Sequence, residues 1–184
     1  MSKIVMLRNV RCSFPQLFEA KTGVSGTTFN PGASFILDPS ENSETLEEIK
    51  EAIKSVIAEN AVLKKSPPSK DKFCLRESDR EDYPEGSYIL KASNPVPPIV
   101  LGKNRERLTK ETNTIYSGCY VNAKIEVWGQ TNAWGKRVNA KLIAIQFAED
   151  GEPFGAYISE AKAVEGFEDL EEAGEERQQK LDFM

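Results

Sequence analysis

The sequence of 184 residues contains no histidine, and this absence removes a large share of enzyme chemistry. Without imidazole there is no Ser-His or Cys-His nucleophile pair, no histidine general base and no histidine metal ligand. Carboxylate-only metal chemistry stays open, but the acidic residues of the first 147 positions lie mainly on one predicted helix and in the loop 71–85. Since no carboxylate cluster is indicated, we expect no catalytic residue, no metal site, no cofactor and no enzyme.

Cysteine and long apolar runs are also scarce. The three cysteines, Cys12, Cys74 and Cys119, are odd in number and lack the spacing of metal ligands. This pattern favours reduced thiols in a cytoplasm-like compartment over a disulfide framework. No apolar run approaches the length of a membrane span, and the first seven residues are too short and too polar for a signal peptide. We therefore expect no membrane association.

The formal net charge of −5 conceals a division along the chain. Residues 1–147 contain 21 Lys and Arg against 17 Asp and Glu, a balance of +4, whereas residues 148–184 contain 3 against 12, a balance of −9. Within residues 88–147 the contrast sharpens to 9 basic residues against 3 acidic ones. The charges thus separate a basic region from an acidic C-terminal part.

We predict a domain over residues 1–158 and an acidic, flexible tail over residues 159–184, because the tail has few apolar residues. The ordinary explanation of such a tail is solubility. Here large apolar residues interrupt the acids, which favours a segment that docks onto protein partners. The candidate partner-binding residues are Phe167, Leu170, Asp182 and Phe183.

The segment Tyr116–Phe147 has the strongest pattern in the chain. Its first arm places Val121, Ala123, Ile125 and Val127 on one face, and its second arm places Val138, Ala140 and Leu142 on one face. A period of two predicts half-buried strands, and the Gly- and Asn-containing segment 129–135 between the arms predicts a β-hairpin. After Leu142 the apolar residues change face, which indicates a β-bulge or a strand buried on both sides.

The opposite face of this hairpin mixes aromatic and basic side chains. A single strand of nucleic acid needs such a surface, since bases stack on rings and cations follow the phosphates. Taken alone, the hairpin favours an ordinary solvated sheet, with Trp134 packed under its own loop. Clustering over residues 88–141 favours the first interpretation, and the predicted ssDNA-binding residues are Lys91, Lys103, Arg105, Arg107, Tyr120, Lys124, Trp128, Trp134, Arg137 and Lys141. Tyr88 and Tyr116 are further candidates that fit the core as well.

The remaining patterns predict more strands and one main helix. We expect strands at Lys3–Val10, Ala33–Leu37, Ser87–Ala92 and Ile99–Leu101, and a last short strand from Phe154 to Ile158. A helix is predicted at Thr45–Asn60, with a capping box between Thr45 and Glu48. The predicted fold class is mainly β with one main α-helix: an OB-type five-stranded antiparallel barrel with an extended β-hairpin.

Three segments resemble a known family: IYSGCYVNAKIEVW, GKRVNAKLIAIQF and DGEPFG, followed by an acidic tail that ends near a phenylalanine. The resemblance is to the phage-encoded single-stranded-DNA-binding proteins, and it covers most of the chain. It implies an OB fold, sequence-independent binding of single-stranded DNA, and a role in phage DNA replication, recombination or annealing in the cytoplasm of the infected bacterium. It also implies a tail that contacts phage or host replication and recombination proteins and competes with DNA.

Two alternatives stay open at this stage. A virion structural or assembly protein would also be non-enzymatic, but its basic face would contact another subunit and show little salt-sensitive affinity for single strands. A carboxylate-metal nuclease is disfavoured, because no acidic cluster is specified. The sequence leaves open whether the chain forms a homodimer, and whether it coats or anneals strands.

Overall fold

The computed structural model describes residues 2–78, 80–81, 83–112, 114–154 and 164–167. Its strands are β1 (Ser2–Gln16), β2 (Lys21–Thr22), β3 (Thr28–Phe29), β4 (Gly32–Leu37), β5 (Leu75–Glu77), β6 (Tyr88–Ser93), β7 (Ile99–Leu101), β8 (Tyr120–Asn132) and β9 (Gly135–Glu149). Two α-helices, α1 (Ser43–Glu59) and α2 (Ala61–Lys65), and a 3₁₀ turn at Lys70–Lys72 lie between β4 and β5. No helix in these ranges is long and apolar enough to cross a membrane.

Five strands close into a ring in the order β1, β4, β6, β9, β8. Four of the contacts are antiparallel, and the closing contact between β6 and β9 is parallel, with Ser93 opposite Lys141. When these five strands are numbered 1 to 5 in chain order, their order around the ring is 1-2-3-5-4, and strand 4 pairs with strand 1. The structure therefore confirms the predicted OB-type, mainly β fold.

The hairpin of β8 and β9 supplies much of the barrel core, as its alternation predicts. Val121, Ile125 and Val127 of β8 are fully buried, and so are Val138 and Leu142 of β9. The register of β9 shifts where Lys124 pairs with Ala144 and Ile125 pairs with Leu142. The shift leaves one extra residue, position 143, in β9, which confirms the predicted bulge.

The hairpin turn is tighter than the sequence indicates. Both strands continue to the pair Asn132 and Gly135, so the turn itself contains only Ala133 and Trp134. Gly135 adopts φ +110, a conformation that glycine enters without steric cost. The predicted seven-residue connection is therefore wrong, because glycine and asparagine also occur inside strand ends that project beyond the barrel.

Helix α1 lies close to its predicted position, but its N-terminus differs. It begins at Ser43, and its N-cap is Asn42, whose side chain makes no capping bond. Thr45 is buried within the first turn, so the predicted capping box between Thr45 and Glu48 is wrong. The apolar face of α1 covers one end of the barrel through Leu46, Ile49, Ala52, Ile53 and Val56.

Strand β1 is longer than predicted and pairs with two different strands along its length. Its first part pairs with β8, and its second part, from Arg11 onward, pairs with β4. A register shift between Leu7 and Val10 bends the strand between these partners, and Asn9 there has φ +50. Because the bend lets one strand serve both neighbours, β1 continues past Pro15 to Gln16.

Candidate nucleic-acid interface

A groove of about 830 Å³ crosses the outer face of β4 and β6. Along these strands Phe35 and Leu90 are buried in the barrel, whereas their neighbours Ser34 and Lys91 line the groove. The end of β1 and the β1–β4 connection form one wall, and the β8–β9 hairpin forms the other. These are the second and third strands of the ring and the two connections with which OB folds bind oligonucleotides.

Among the described residues, the charged side chains that line this groove are all basic. Its described lining contains no Asp or Glu and six cations: Lys72, Arg76, Arg80, Lys91, Arg137 and Lys141. Lys72 forms an ion pair with Asp71, which lies outside the lining, at 3.6 Å. Lys91, Arg137 and Lys141 form no ion pair with a described residue. A concave surface lined by one sign of charge raises the local concentration of a polyanion.

The strand register brings the central cations together. Lys141 is opposite Ser93, and Lys91 precedes Ser93 by two residues on the same outward face of β6. On β9, Arg137, Asn139 and Lys141 line the groove while the residues between them fill the core. The parallel contact that closes the barrel therefore joins two basic segments that are 50 residues apart in the chain.

Aromatic rings accompany the cations. Trp128 of β8 lines the groove opposite Asn139, and Phe14 and Phe29 line it with 51% and 56% of their surface exposed. Tyr83 is buried in the wall and shares a hydrogen bond of 2.9 Å with Ser13. Exposed rings beside cations provide the two kinds of contact that a single strand uses, ring faces for bases and charges for phosphates.

Four of the ten predicted residues line the groove: Lys91, Trp128, Arg137 and Lys141. Trp134 lies at the tip of the hairpin, with 86% of its surface exposed. Lys103, Arg105 and Arg107 lie on the loop after β7, and Tyr120 and Lys124 lie on β8 beyond the lining.

The separation of the loop cations from the groove follows from the position of β7. This strand pairs with β9 at residues 144–146, beyond the bulge, and not with the part of β9 that meets β6. The side-chain amide of Gln146 donates to the carbonyl oxygens of Gly102 and Lys103 at 3.4 and 3.3 Å, which fixes the start of the loop there. Lys103 and its neighbours are therefore held on another side of the barrel.

Sequence reasoning missed the contribution of β1 and of the segment 72–83. Phe14, Phe29, Lys72, Arg76 and Arg80 all line the groove but come from segments that the sequence assigns to a strand end or to loops. An available signal was the presence of large aromatic residues in polar, Gly- and Pro-containing surroundings. Cys74 also lines the groove, but burial raises the pKa of its thiol to about 12, so it stays protonated and unreactive at neutral pH.

The described residues that precede the predicted tail are fixed to the barrel beside the groove. Phe154 is buried against Tyr83, with ring centroids 5.0 Å apart, and the Arg11 guanidinium lies 4.1 Å from its ring centroid. Arg11 also donates to the carbonyl oxygens of Gly118 and Glu152. The structure shows no strand at Phe154, and residues 155–158 of the predicted last strand lie outside the described residues.

Of the predicted tail residues, only Phe167 is described, and 82% of its surface is exposed. Leu170, Asp182 and Phe183 lie outside the described residues.

An OB-type barrel whose second and third strands carry a basic, aromatic groove belongs to the class of single-strand nucleic-acid-binding proteins. A family described as Enterobacter phage Enc34, ssDNA-binding protein, matches residues 3–178. The chain belongs to this family of phage single-stranded-DNA-binding proteins, which are binding proteins and not enzymes.

Comparisons with individual proteins agree with this assignment. The chain is 41% identical over 183 residues to putative protein p50 of Acyrthosiphon pisum secondary endosymbiont phage 1, covering 94% of this chain and 96% of that protein. It is similar to the single-stranded DNA-binding protein from bacteriophage Enc34 in complex with ssDNA, with a TM-score of 0.74, 28% identity, and coverage of 83% and 89% of the two chains. Gp2.5 of bacteriophage T7, at 14% identity, a TM-score of 0.57 and coverage of 92% and 97%, supports the fold alone.

Proposed function

We propose that this protein coats single-stranded DNA, without strong sequence preference, during phage DNA replication and recombination in the cytoplasm of the infected bacterium. The observation that carries this proposal is the groove, whose described lining combines six cations and exposed aromatic rings without a carboxylate. It lies on the face that OB folds use for oligonucleotides.

The cations and the rings have separate tasks in this proposal. Lys91, Arg137 and Lys141 contact consecutive phosphates along the groove, while bases stack on Trp128 and Phe29. Neither contact depends on which base is present, because every nucleotide has a phosphate and every base has a π face. A paired base is already stacked inside its duplex, so the ring contacts favour single strands.

The predicted residues outside the groove extend this interface. Trp134, at the hairpin tip, offers a further ring where the strand leaves the groove. Tyr120, Lys124, Lys103, Arg105 and Arg107 stay predicted contacts for DNA that continues around the barrel.

Titration with poly-dT and with duplex DNA at matched salt tests the proposal. Single strands are expected to bind far more tightly than duplex and to change the fluorescence of Trp128, which lines the groove. If about four phosphates are neutralised, log affinity should fall with log salt with a slope near −3. Duplex bound as tightly as poly-dT would contradict the proposal.

We further propose that residues 159–184 form a tail that competes with DNA for the groove and recruits phage or host replication and recombination proteins. The anchored position of Phe154 supports this, because its ring packs on Tyr83, which itself lines the groove. The acidic C-terminal part therefore begins beside the basic groove, at a high effective concentration. DNA that fills the groove would release Phe167, Leu170, Asp182 and Phe183 for a partner.

Truncation after Ser159 should tighten binding of poly-dT, most clearly at low salt, and abolish partner recruitment. The tail's ionic contacts are weak and screened, so the gain should shrink as salt rises. The measurement is Kd for the full-length and truncated proteins across a salt series. Phe167→Ala with Phe183→Ala is the matched control, which keeps every charge and should lose recruitment alone. Unchanged or weaker DNA binding by the truncated protein at low salt would refute the competition.

A further inference from the structure

Phe14 has a backbone conformation that its side chain disfavours. Its φ is +48, in the left-handed region that glycine and asparagine enter readily and that large aromatic residues rarely enter. Its N–H makes one long hydrogen bond, 3.4 Å, to the Ser117 hydroxyl. Strained residues of this kind concentrate at binding sites, where the surrounding structure holds them in place.

Core packing does not explain a phenylalanine at this position. About half of its surface is exposed (51%), so the ring is not a full member of the core. The side chain instead lines the groove, close to the end of β1. The disfavoured backbone conformation and the exposed ring together indicate that the ring has a contact to make in the groove.

The neighbours of Phe14 form a fixed support. The Arg80 guanidinium lies 5.5 Å from the ring centroid of Phe14 and 5.0 Å from that of Tyr83. Tyr83 is held in turn by its hydrogen bond to Ser13 and by its edge-to-face contact with Phe154. Arg80 thus lies between the buried ring of Tyr83 and the exposed ring of Phe14, which orients the outermost ring.

We propose that Phe14, supported by Arg80, is a base-stacking platform at the β1 end of the groove. It takes an unpaired nucleobase of the bound strand on its exposed ring, which the Arg80 guanidinium supports from the side of Tyr83. This inference rests on the proposed function of the groove, and it assigns one nucleotide position within that groove to a particular pair of side chains.

The decisive variant is Phe14→Asn, because asparagine tolerates φ near +48 and has no ring. Affinity for poly-dT is expected to fall about 5- to 150-fold, the loss of one stacked base, while the melting temperature holds or rises. Phe14→Tyr should bind poly-dT like the wild type. A strand of abasic deoxyribose phosphates should bind the wild type and Phe14→Asn equally, because it has no base to stack.

Normal poly-dT binding by Phe14→Asn would overturn the platform, and so would a loss that is equally large on the abasic strand. A lower melting temperature for Phe14→Asn would show that the ring serves the fold, and it too would overturn the inference. Lys91→Gln in the same titrations separates this inference from the proposal beneath it. If Lys91→Gln weakens binding and Phe14→Asn does not, only the platform fails; if neither does, the groove itself is not the interface.

Discussion

Replacing Arg76, Lys91, Arg137 and Lys141 together by glutamine is expected to lower affinity for poly-dT about 10³- to 10⁴-fold at 50 mM salt, and about 10²-fold at 200 mM. Each phosphate contact on a single strand contributes about 0.7 to the slope of log affinity against log salt. Four lost contacts therefore flatten the slope by about 3. The loss of affinity is largest at low salt, where the release of counterions favours binding most. The measurement is Kd across the salt series.

The matched control removes the same number of charges elsewhere. Lys103, Arg105, Arg107 and Lys124 lie outside the groove lining, and their replacement by glutamine gives a protein of equal net charge. We expect this control to retain most of the affinity for a short oligonucleotide and most of the salt slope. Equal losses in both variants would show that net charge alone, and not the groove, determines binding.

Phe35→Ala is expected to lower the free energy of unfolding by about 3–5 kcal/mol. Phe35 is fully buried, and it is paired with Cys12 of β1 on one side and with Leu90 of β6 on the other. Removing the phenyl group leaves a cavity between three strands of the barrel. Because the barrel is closed, these strands cannot move together to fill the cavity. The melting temperature should fall by about 10–15 °C in a domain of this size. Thermal unfolding followed by circular dichroism measures the change.

Phe29→Ala is the control for this prediction, because the same side chain is removed from an exposed position. Phe29 has 56% of its surface exposed at the groove, so its removal should change the free energy of unfolding by less than about 0.5 kcal/mol. The two variants should thus lose different properties: Phe35→Ala loses stability, and Phe29→Ala loses DNA affinity. A Phe35→Ala protein that melts like the wild type would contradict the closed barrel.

Local patterns were sufficient to predict the elements of the barrel. The alternation of Val121 to Val127 and of Val138 to Leu142 identifies the inward faces of β8 and β9, and the change after Leu142 identifies the bulge. These predictions succeed because burial on one side of a strand imposes a period of two on the sequence itself. Boundaries at Thr45 and at the hairpin turn were wrong, since side-chain caps and strand ends depend on neighbours that the sequence does not show.

The sequence by itself determined the strands of the barrel and the division of charge between body and C-terminal part, and its resemblance to the phage single-stranded-DNA-binding proteins indicated the class of protein. Only the tertiary structure decided which cations share one groove. Lys91 and Lys141 meet through the closing contact of β6 with β9, Lys103 is held elsewhere by β7, and Phe14 and Arg80 reach the groove from distant segments. The physical reason is that alternation is set by adjacent residues, whereas the direction of a side chain around a closed barrel is set by strand pairing over long distances in the chain.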